Sequence, residues 1–446
     1  LKGPQGTLYG RNTTGGAVKF VSRKPEVGGD VSGDFYGEVG NYNYYKAEGG
    51  VALPLGDIAA ARLSGLIVKR GGVYRDYVNG GRLIDKDMKA VRLQLKIEPT
   101  DSFSALLMAT YGKNDSDDVR YKRIDYTNAQ TLVGECANPS VGSAPGCTNL
   151  ATAFGFALPE LNTDIYQLQS FARRGQSPVT IEVYGLSANL DYDFGPVTLS
   201  SVTSYYHGKT TDYSDVGTSS VNLASQLSTG RPRQFGQEFR LATNGDPRFR
   251  WLLGAFYFDE KLFATQMINI LPFGIGFGPA YDQRTRSKAL FAEGTYRVTP
   301  QLDLTVGLRY SHDRKRIDYT YYNFKSAGRD FVSYDEVLTD PIVAATRGVV
   351  VNGAVDRTSN VSGRVSLSYK LNPDMMIYAS ANRGYKAAEF NLGASRQSAA
   401  AYVAPERVDQ FELGVKSQFL NRAVTFNLAG YYYKYKNKQE TVFNTG

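Results

Sequence analysis

The two cysteines are the residues of this 446-residue chain with the clearest capacity for covalent chemistry. Ten residues separate Cys136 from Cys147, in a segment rich in glycine, proline, serine and asparagine. That spacing favours a small disulfide loop, with a free thiol pair and a metal site as the alternatives. No histidine or third cysteine stands nearby to complete a metal site. A disulfide would indicate an oxidising compartment, on the periplasmic or extracellular side of a bacterium.

Groups for catalysis are few. An enzyme usually needs a nucleophile with a base, or a carboxylate pair held in a pocket. The only histidines, His207 and His312, are far apart in sequence and have no ligand-like neighbours. Loop carboxylates lack the spacing of a calcium loop and are interpreted as solvated turn residues: Asp101, Asp115, Asp117 and Asp118. The sequence therefore predicts no enzyme, no catalytic or metal-binding residue and no cofactor.

The glycine-rich start of the chain invites comparison with a phosphate-binding loop. It contains Gly3, Gly6, Gly10, Gly15 and Gly16. However, no Gly-Lys-Ser/Thr and no GxGxxG spacing follows, and no helical pattern supplies an N-terminal dipole. These glycines are better explained by tight turns packed against other backbone.

The chain carries a formal charge of +8, from 51 basic and 43 acidic residues. Its basic residues are spread singly along the sequence, which argues against a nucleic-acid partner. One local cluster, Arg314, Lys315 and Arg316, is predicted to lie just past a strand end. We interpret it as a solvated loop or, alternatively, as a contact with acidic lipid headgroups.

Hydrophobic residues alternate with polar ones in many segments, which predicts strands with one apolar and one polar face. The clearest are residues 91–97, 186–194, 302–310 and 361–369. No stretch approaches the run of about 18 apolar residues that a membrane helix requires. A membrane-spanning strand needs only about ten residues of alternating polarity, so a transmembrane β-barrel stays open.

Connections between the strands are predicted to alternate strictly between short and long. Short turns are expected at residues 54–57, 98–101, 194–196, 244–247, 299–301, 372–374 and 420–422. Long loops are expected at about 71–86, 113–179, 210–233, 261–285, 314–357 and 387–406. A β-sandwich has no reason to collect all its long loops at one end, whereas an outer-membrane barrel has them outside the cell.

The predicted fold class is therefore all-β, an antiparallel transmembrane β-barrel with about fifteen strands between Val31 and Lys438. An open sheet of that size leaves unpaired edges, so closure is expected from strands beyond Gly446. Acidic residues on the strands are expected to pair with nearby basic residues facing the lumen. Such pairs would be Glu293 with Arg297, and Asp303 with Arg309.

Leu1 to Pro25, LKGPQGTLYGRNTTGGAVKFVSRKP, resembles the end of the plug domain of TonB-dependent outer-membrane receptors. Later segments resemble the barrel of that family: FGQEFRL at 235–241, WLLGAFYF at 251–258, ASANRGYKAAEFN at 379–391 and PERVDQFELGVKSQ at 405–418. The resemblance implies an internal fragment: residues 1–28 as the C-terminal remnant of a plug, and 29–446 as part of a barrel of 22 strands, truncated at its C-terminus. It also implies the outer membrane of a Gram-negative bacterium.

The function implied by the resemblance is energised, TonB-dependent uptake of a scarce ligand, foremost a ferric siderophore. Alternatives are uptake of a vitamin or glycan, or a passive porin-like or surface-binding barrel. Expected partners are a metal-chelate small molecule, the inner-membrane TonB energy complex and outer-membrane lipid, with the receptor a monomer. A plug remnant favours energised uptake, because a passive porin has no use for one.

Four residues are candidates for facing the substrate. Arg11 and Asn12 belong to the plug remnant, where anchoring to the barrel wall is the alternative to meeting an anionic ligand. Tyr385 and Lys386 approach the outer end of their strand, where contact with the wall or with headgroups is the alternative.

Overall fold

The computed structural model describes residues 3–4, 6–76, 80–117, 167–168, 178–215, 224–326, 328–343, 345–391 and 401–440. Within these ranges β-structure dominates, and the α-helices are α1 (Gly6–Tyr9) and α2 (Tyr334–Thr339). No helix of the described residues is long and apolar enough to cross a membrane.

Fifteen strands form one antiparallel sheet in which neighbours pair in chain order. They are β1 (Ser32–Gly40), β2 (Tyr44–Pro54), β3 (Ala59–Arg70), β6 (Lys86–Thr100), β7 (Phe103–Asp117), β9 (Pro178–Asp193), β10 (Val197–Asp215), β11 (Ala224–Thr243), β12 (Phe249–Ile270), β13 (Ile275–Arg297), β14 (Leu302–Lys325), β15 (Thr346–Asn372), β16 (Met375–Lys386), β19 (Glu406–Phe419) and β20 (Val424–Lys436). Short strands form two small sheets: β4 (Tyr74–Asp76), β5 (Arg82–Leu83) and β8 (Gln167–Leu168) in one, β17 (Glu389–Asn391) and β18 (Ala401–Val403) in the other. The predicted all-β class and strand count are confirmed.

The seven predicted short turns are confirmed. For example, β2 ends at Pro54 and β3 begins at Ala59, and β9 ends at Asp193 while β10 begins at Val197. These turns all lie at one end of the sheet, because they join successive antiparallel strands at every second connection.

Several predicted long loops are wrong, because the strands continue into them. Residues 261–285 are mostly strand: β12 runs to Ile270 and β13 begins at Ile275. The ranges 210–233 and 314–357 are likewise largely occupied by strands. Strict alternation also fails between β1 and β2, which only residues 41–43 connect. In parts of these extensions, such as residues 282–288, both faces carry polar residues, so the hydrophobic period is interrupted while the hydrogen-bond ladder continues.

The sheet has one apolar and one polar face, with the polarity of a soluble protein inverted. Its outward face exposes Leu290 (66%), Leu308 (58%) and Leu253 (49%). The inward face buries polar side chains, among them Arg309 (3% exposed) and Asp313 (4%). Such an arrangement is stable when the outward face contacts hydrocarbon and the inward face is packed or hydrated.

A structured connection between β14 and β15, which we call the strap (residues 328–343), folds back over the outward face. Its helix α2 is capped by Ser333, whose side chain accepts from the Glu336 amide while the Glu336 carboxylate accepts from the Ser333 amide. Apolar strap residues form a buried cluster with outward residues of β12–β14: Val332, Val337 and Val343 with Met267, Ala280, Tyr322 and Phe324. The outermost part of the sheet is therefore covered by its own loop.

The predicted ion pairs of the strands differ from those in the structure. Glu293 pairs with Arg364, at 2.8 Å between Oε2 and Nε, and not with Arg297. Asp303 lies 3.8 Å from Arg250 and 3.9 Å from Arg297, whereas no carboxylate of the described residues lies within 4.0 Å of Arg309. The predicted pairs are therefore wrong, since cross-strand register decides the partners. Cys136 and Cys147 lie outside the described residues.

Candidate functional site

The inward face of β14 organises the candidate site. Every second residue of this strand points toward the interior, and the N-terminal segment of the chain lies along it. We call residues 3–28 the plug segment. Helix α1 of that segment contacts β13, β14, β15 and β16. The β-strand period thus provides a row of side chains and gaps into which the plug segment packs.

Small residues on both sides allow this close approach. A β-carbon on Gly384 of β16 would lie 2.9 Å from Cβ of Pro4, and one on Gly307 would lie 2.7 Å from Cγ2 of Thr7. Gly6 of α1 has the same constraint, because a β-carbon there would lie 3.0 Å from Cβ of Ser362. The plug segment therefore rests on wall backbone at Gly384 and Gly307, and at Gly6 its own backbone lies against the Ser362 side chain.

Arg11 reaches the wall through its guanidinium. Its Nη1 lies 3.7 Å from Oδ1 of Asp313, and its Cζ lies 5.0 Å from the centre of the Phe258 ring. The Tyr385 hydroxyl donates to the second carboxylate oxygen of Asp313 at 2.9 Å. Three elements, the plug segment, β14 and β16, thus meet at one buried carboxylate, and this geometry supports the anchoring role for Arg11.

Asn12 is held by backbone contacts on β16 and the residues after it. It has a left-handed conformation (φ 62°), which asparagine tolerates better than most residues. Its backbone amide donates to the carbonyl of Tyr385 at 2.9 Å, and its side-chain Oδ1 accepts from the backbone amide of Ala387 at 3.1 Å. Asn12 therefore continues the hydrogen-bonding pattern of β16 into the plug segment.

The other two sequence-predicted residues differ in exposure. Tyr385 is fully buried (0% exposed). Lys386 is about one-third exposed (34%) with its Nζ 4.0 Å from Glu389. The structure brings Arg11 and Tyr385 together at Asp313, holds Asn12 on the backbone of Tyr385 and Ala387, and leaves Lys386 at the margin. Their contact with a ligand stays a prediction.

Arg309 and Asp313 are central to the site, and sequence reasoning did not select them. Arg309 is sandwiched between Phe291 and Phe256, at 4.9 and 5.4 Å from the ring centres, and its Nε donates to Ser311. The signal that was available is the alternation of β14, which places both residues opposite Leu308 and Tyr310, on the polar face.

An aromatic layer lies further along the inward face, toward the long loops. Buried Ile317, Tyr319 and Tyr321 of β14 pack with Phe277, Tyr281 and Phe390. The Tyr319 hydroxyl is buried and has no hydrogen-bond partner among the described residues. Just below the layer, Lys315 donates from Nζ to the carbonyl of Ala388 at 3.0 Å. The interior beyond the plug segment thus offers cations first and aromatic rings next.

A family model described as TonB dependent receptor-like, beta-barrel, matches residues 139–446. The chain belongs to this family. Its members are transport receptors, and this chain is an outer-membrane β-barrel protein of a Gram-negative bacterium, preceded by the segment that packs against the barrel interior.

Curated relatives and solved structures agree with this assignment. The pesticin receptor of Yersinia enterocolitica is 23% identical over 98% of this chain and 56% of its own length. The ferric yersiniabactin uptake receptor of Yersinia pestis superposes with a TM-score of 0.73 at 16% identity, covering 98% of this chain and 59% of that one. For the siderophore receptor PiuA of Acinetobacter baumannii the TM-score is 0.68 at 15% identity, with 96% and 60% covered. The chain thus spans little more than half the length of these proteins.

Proposed function

We propose that the complete receptor imports a ferric siderophore across the outer membrane in a TonB-dependent cycle. The observation that carries this proposal is the docking of the plug segment on the barrel interior through Arg11, Asn12 and α1. A receptor that is energised needs a plug held by contacts that can be broken, whereas a passive pore has no use for a segment in its lumen. The names of the pesticin and siderophore receptors support iron as the cargo.

The chemistry of the interior beyond the plug segment suits such a ligand. Ferric siderophores carry the metal in a shell of chelating oxygens, often with net negative charge. Arg11 and Lys315 offer cationic donors that attract such oxygens. The aromatic layer around Tyr319 and Phe277 offers apolar faces to the organic part of the chelate, and the buried Tyr319 hydroxyl offers a donor.

The test is uptake by cells that carry or lack the complete gene. Under iron starvation, radiolabelled iron is supplied as phenolate, catecholate or hydroxamate chelates, in backgrounds with and without TonB. We expect one chelate class to enter only when both the receptor and TonB are present. Uptake of every chelate unchanged by deletion of the gene contradicts the iron proposal, and entry of a vitamin or glycan instead redirects it. Uptake that persists without TonB indicates a passive barrel.

A further inference from the structure

The outward face of β11–β15 carries a continuous cluster of basic side chains just beyond its apolar part. We call it the basic patch: Arg233, Lys261, Arg284, Arg286, Lys288, Arg314, Arg316 and Arg357. Cross-strand register joins its members in two rows. One row runs from Arg233 through Lys261 and Arg284 to Arg316, and the next from Arg286 through Arg314 to Arg357.

The direction of these side chains follows from the strand period. Arg314 and Arg316 are exposed and share a face with Leu308 and Tyr310, which are 58% and 50% exposed. Lys315, between them, points to the interior and is bound to the carbonyl of Ala388. The sequence cluster at 314–316 is therefore no solvated loop: it is part of β14, with two of its three charges facing away from the lumen.

The basic patch has too few carboxylates of its own. Asp259 is the one acidic residue within it, and both Arg284 and Arg286 contact it, at 2.5 and 3.4 Å. Asp282 and Asp318 border it on the outer side, where Asp318 lies 3.3 Å from Arg316. Among the described residues, no carboxylate lies within 4.0 Å of Lys288, Arg314 or Arg357, nor of Arg233 or Lys261. Like charges directly opposite each other destabilise a sheet, so the row containing Arg314 calls for an anion from outside the chain.

The position of the basic patch corresponds to the headgroup level of a bilayer. The apolar part of β14, from Leu302 to Tyr310, is about 27 Å long, which a strand tilt near 40° reduces to a height of roughly 20 Å. Arg314 lies four residues further on, or roughly 10 Å higher. Beyond the basic patch, the strap covers the outward face, with Tyr334 packed on Phe263 and Tyr322. The basic patch therefore lies between the apolar part of the outward face and the strap.

On the outward face of β3, β6 and β7 the basic residues are paired within the chain. Lys69 and Lys89 lie 3.7 and 3.4 Å from Asp87, and Lys113 forms an ion pair with Asp115. The unpaired basic residues of β11–β15 thus contrast with these three strands, and they would serve as a localised binding surface.

We propose that the basic patch binds the phosphate groups of an outer-leaflet glycolipid whose acyl chains lie against Leu253, Leu290 and Leu308. Arginine fits phosphate oxygens with paired donors, and a low-dielectric surrounding strengthens each contact. The apolar surface directly below provides for the chains of the same molecule, which a free anion would not use. This proposal depends on the membrane position of the barrel and is independent of the ligand that the receptor imports.

The experiment uses the complete receptor purified in detergent and bis-phosphorylated lipid A as the probe, with retention measured by native mass spectrometry. The test variant is Lys288→Gln/Arg314→Gln/Arg357→Gln, which removes charges that have no carboxylate partner among the described residues. The control is Lys69→Gln/Lys89→Gln, on the same face outside the basic patch. Heat-modified gel mobility verifies that both variants are folded.

We expect the triple variant to bind lipid A at least about tenfold more weakly, since each basic residue near the surface contributes to attraction. The control variant should bind lipid A like the unsubstituted receptor. Dephosphorylated lipid A should bind the unsubstituted receptor as weakly as lipid A binds the triple variant. Equal retention of the two lipids, or unchanged binding by the triple variant, overturns the proposal. Full competition by millimolar inorganic phosphate also overturns it, because it shows a free-anion site.

Discussion

Gly10 of the plug segment lies directly over Arg309 of the barrel wall. A β-carbon at Gly10 would be 3.0 Å from Nη2 and 3.2 Å from Cζ of Arg309. Gly10 also has a φ of 80°, a conformation that costs an L-residue about 1 kcal/mol or more. Sterics and backbone conformation therefore both require glycine at this contact.

Gly10→Ala should loosen the plug segment because the strained backbone and the new methyl group act together. We expect a loss of about 1–3 kcal/mol in the free energy that holds the segment in place. Limited proteolysis of the complete receptor, with cleavage followed between residues 10 and 30, measures this. Gly15→Ala is the matched control, because nothing lies within 4 Å of its β-carbon position. Equal protease sensitivity of the two variants would contradict the expectation.

Asp313→Asn should weaken the same junction electrostatically. It removes the charge that Arg11 approaches to 3.7 Å and weakens the hydrogen bond that the Tyr385 hydroxyl donates. We expect a cost of about 1–3 kcal/mol, measured as thermal unfolding of the complete receptor. Asp282→Asn, at an exposed carboxylate on the outward face of β13, is the control.

A double-mutant cycle refines this second prediction. If Arg11 and Asp313 interact as the structure has it, Arg11→Ala and Asp313→Asn together should cost less than the sum of the two single changes. Strict additivity would mean that the 3.7 Å contact contributes nothing.

The strap should loosen in acid. Arg329 donates to Asp340 at 2.5 Å and to Glu336 at 2.9 Å, and the bond to Arg329 holds the pKa of Asp340 below its ordinary value of 3.8. Because the pKa is lower in the folded strap than in an unfolded one, the contribution is complete above pH 3.8 and is lost as the pH falls through the folded value.

A dye attached at a cysteine replacing exposed Leu338 reports this transition through its anisotropy between pH 2.5 and 7. We expect mobility to rise below about pH 4. In Asp340→Asn the strap should be looser at neutral pH, with a smaller change on acidification. An Asp340→Asn strap that titrates like the original would show that another group controls it.

Val306→Arg tests which face of the sheet contacts lipid. Val306 lies midway along the apolar part of β14 and is 48% exposed in the protein alone, so in water this change would be almost neutral. In a bilayer a charge on the lipid face of a strand costs about 2–4 kcal/mol near the midplane. Leu55→Arg, at a 50% exposed leucine in a short turn, is the control and should cost less than about 1 kcal/mol. Refolding into lipid vesicles with urea titration measures both.

The sequence was sufficient to predict the membrane-spanning parts of the strands and the short turns that join them. In those parts lipid on one side imposes the alternation of residues such as Leu308, Arg309 and Tyr310. It failed in the outer extensions, where runs such as residues 282–288 are polar on both faces and pair nonetheless. At that height no lipid requires one face to be apolar. The residue pattern therefore resembles that of a loop, although the backbone hydrogen bonds between the strands continue.

Partners across the sheet could not be predicted either. Glu293 pairs with Arg364, 71 residues away, because three strands place them side by side. Single-sequence reasoning favours partners close in the chain, such as Arg297. The strap was missed for a related reason: its valines resemble a strand or helix core, and only the folded sheet reveals that they cover Met267 and Phe324 from outside.

Unequal strand length gives the described wall a slope. Strands β1–β3 have nine to 12 residues, whereas β15 has 27. With the short turns level at the inner end, the β15 side is taller by roughly 50 Å along the strand, or about 35 Å in height. The outer edge of the described strands is therefore low at β1–β3 and high at β15. Helix α1 of the plug segment contacts β13–β15, so a solute that reaches it from outside passes along the inward face of those tall strands.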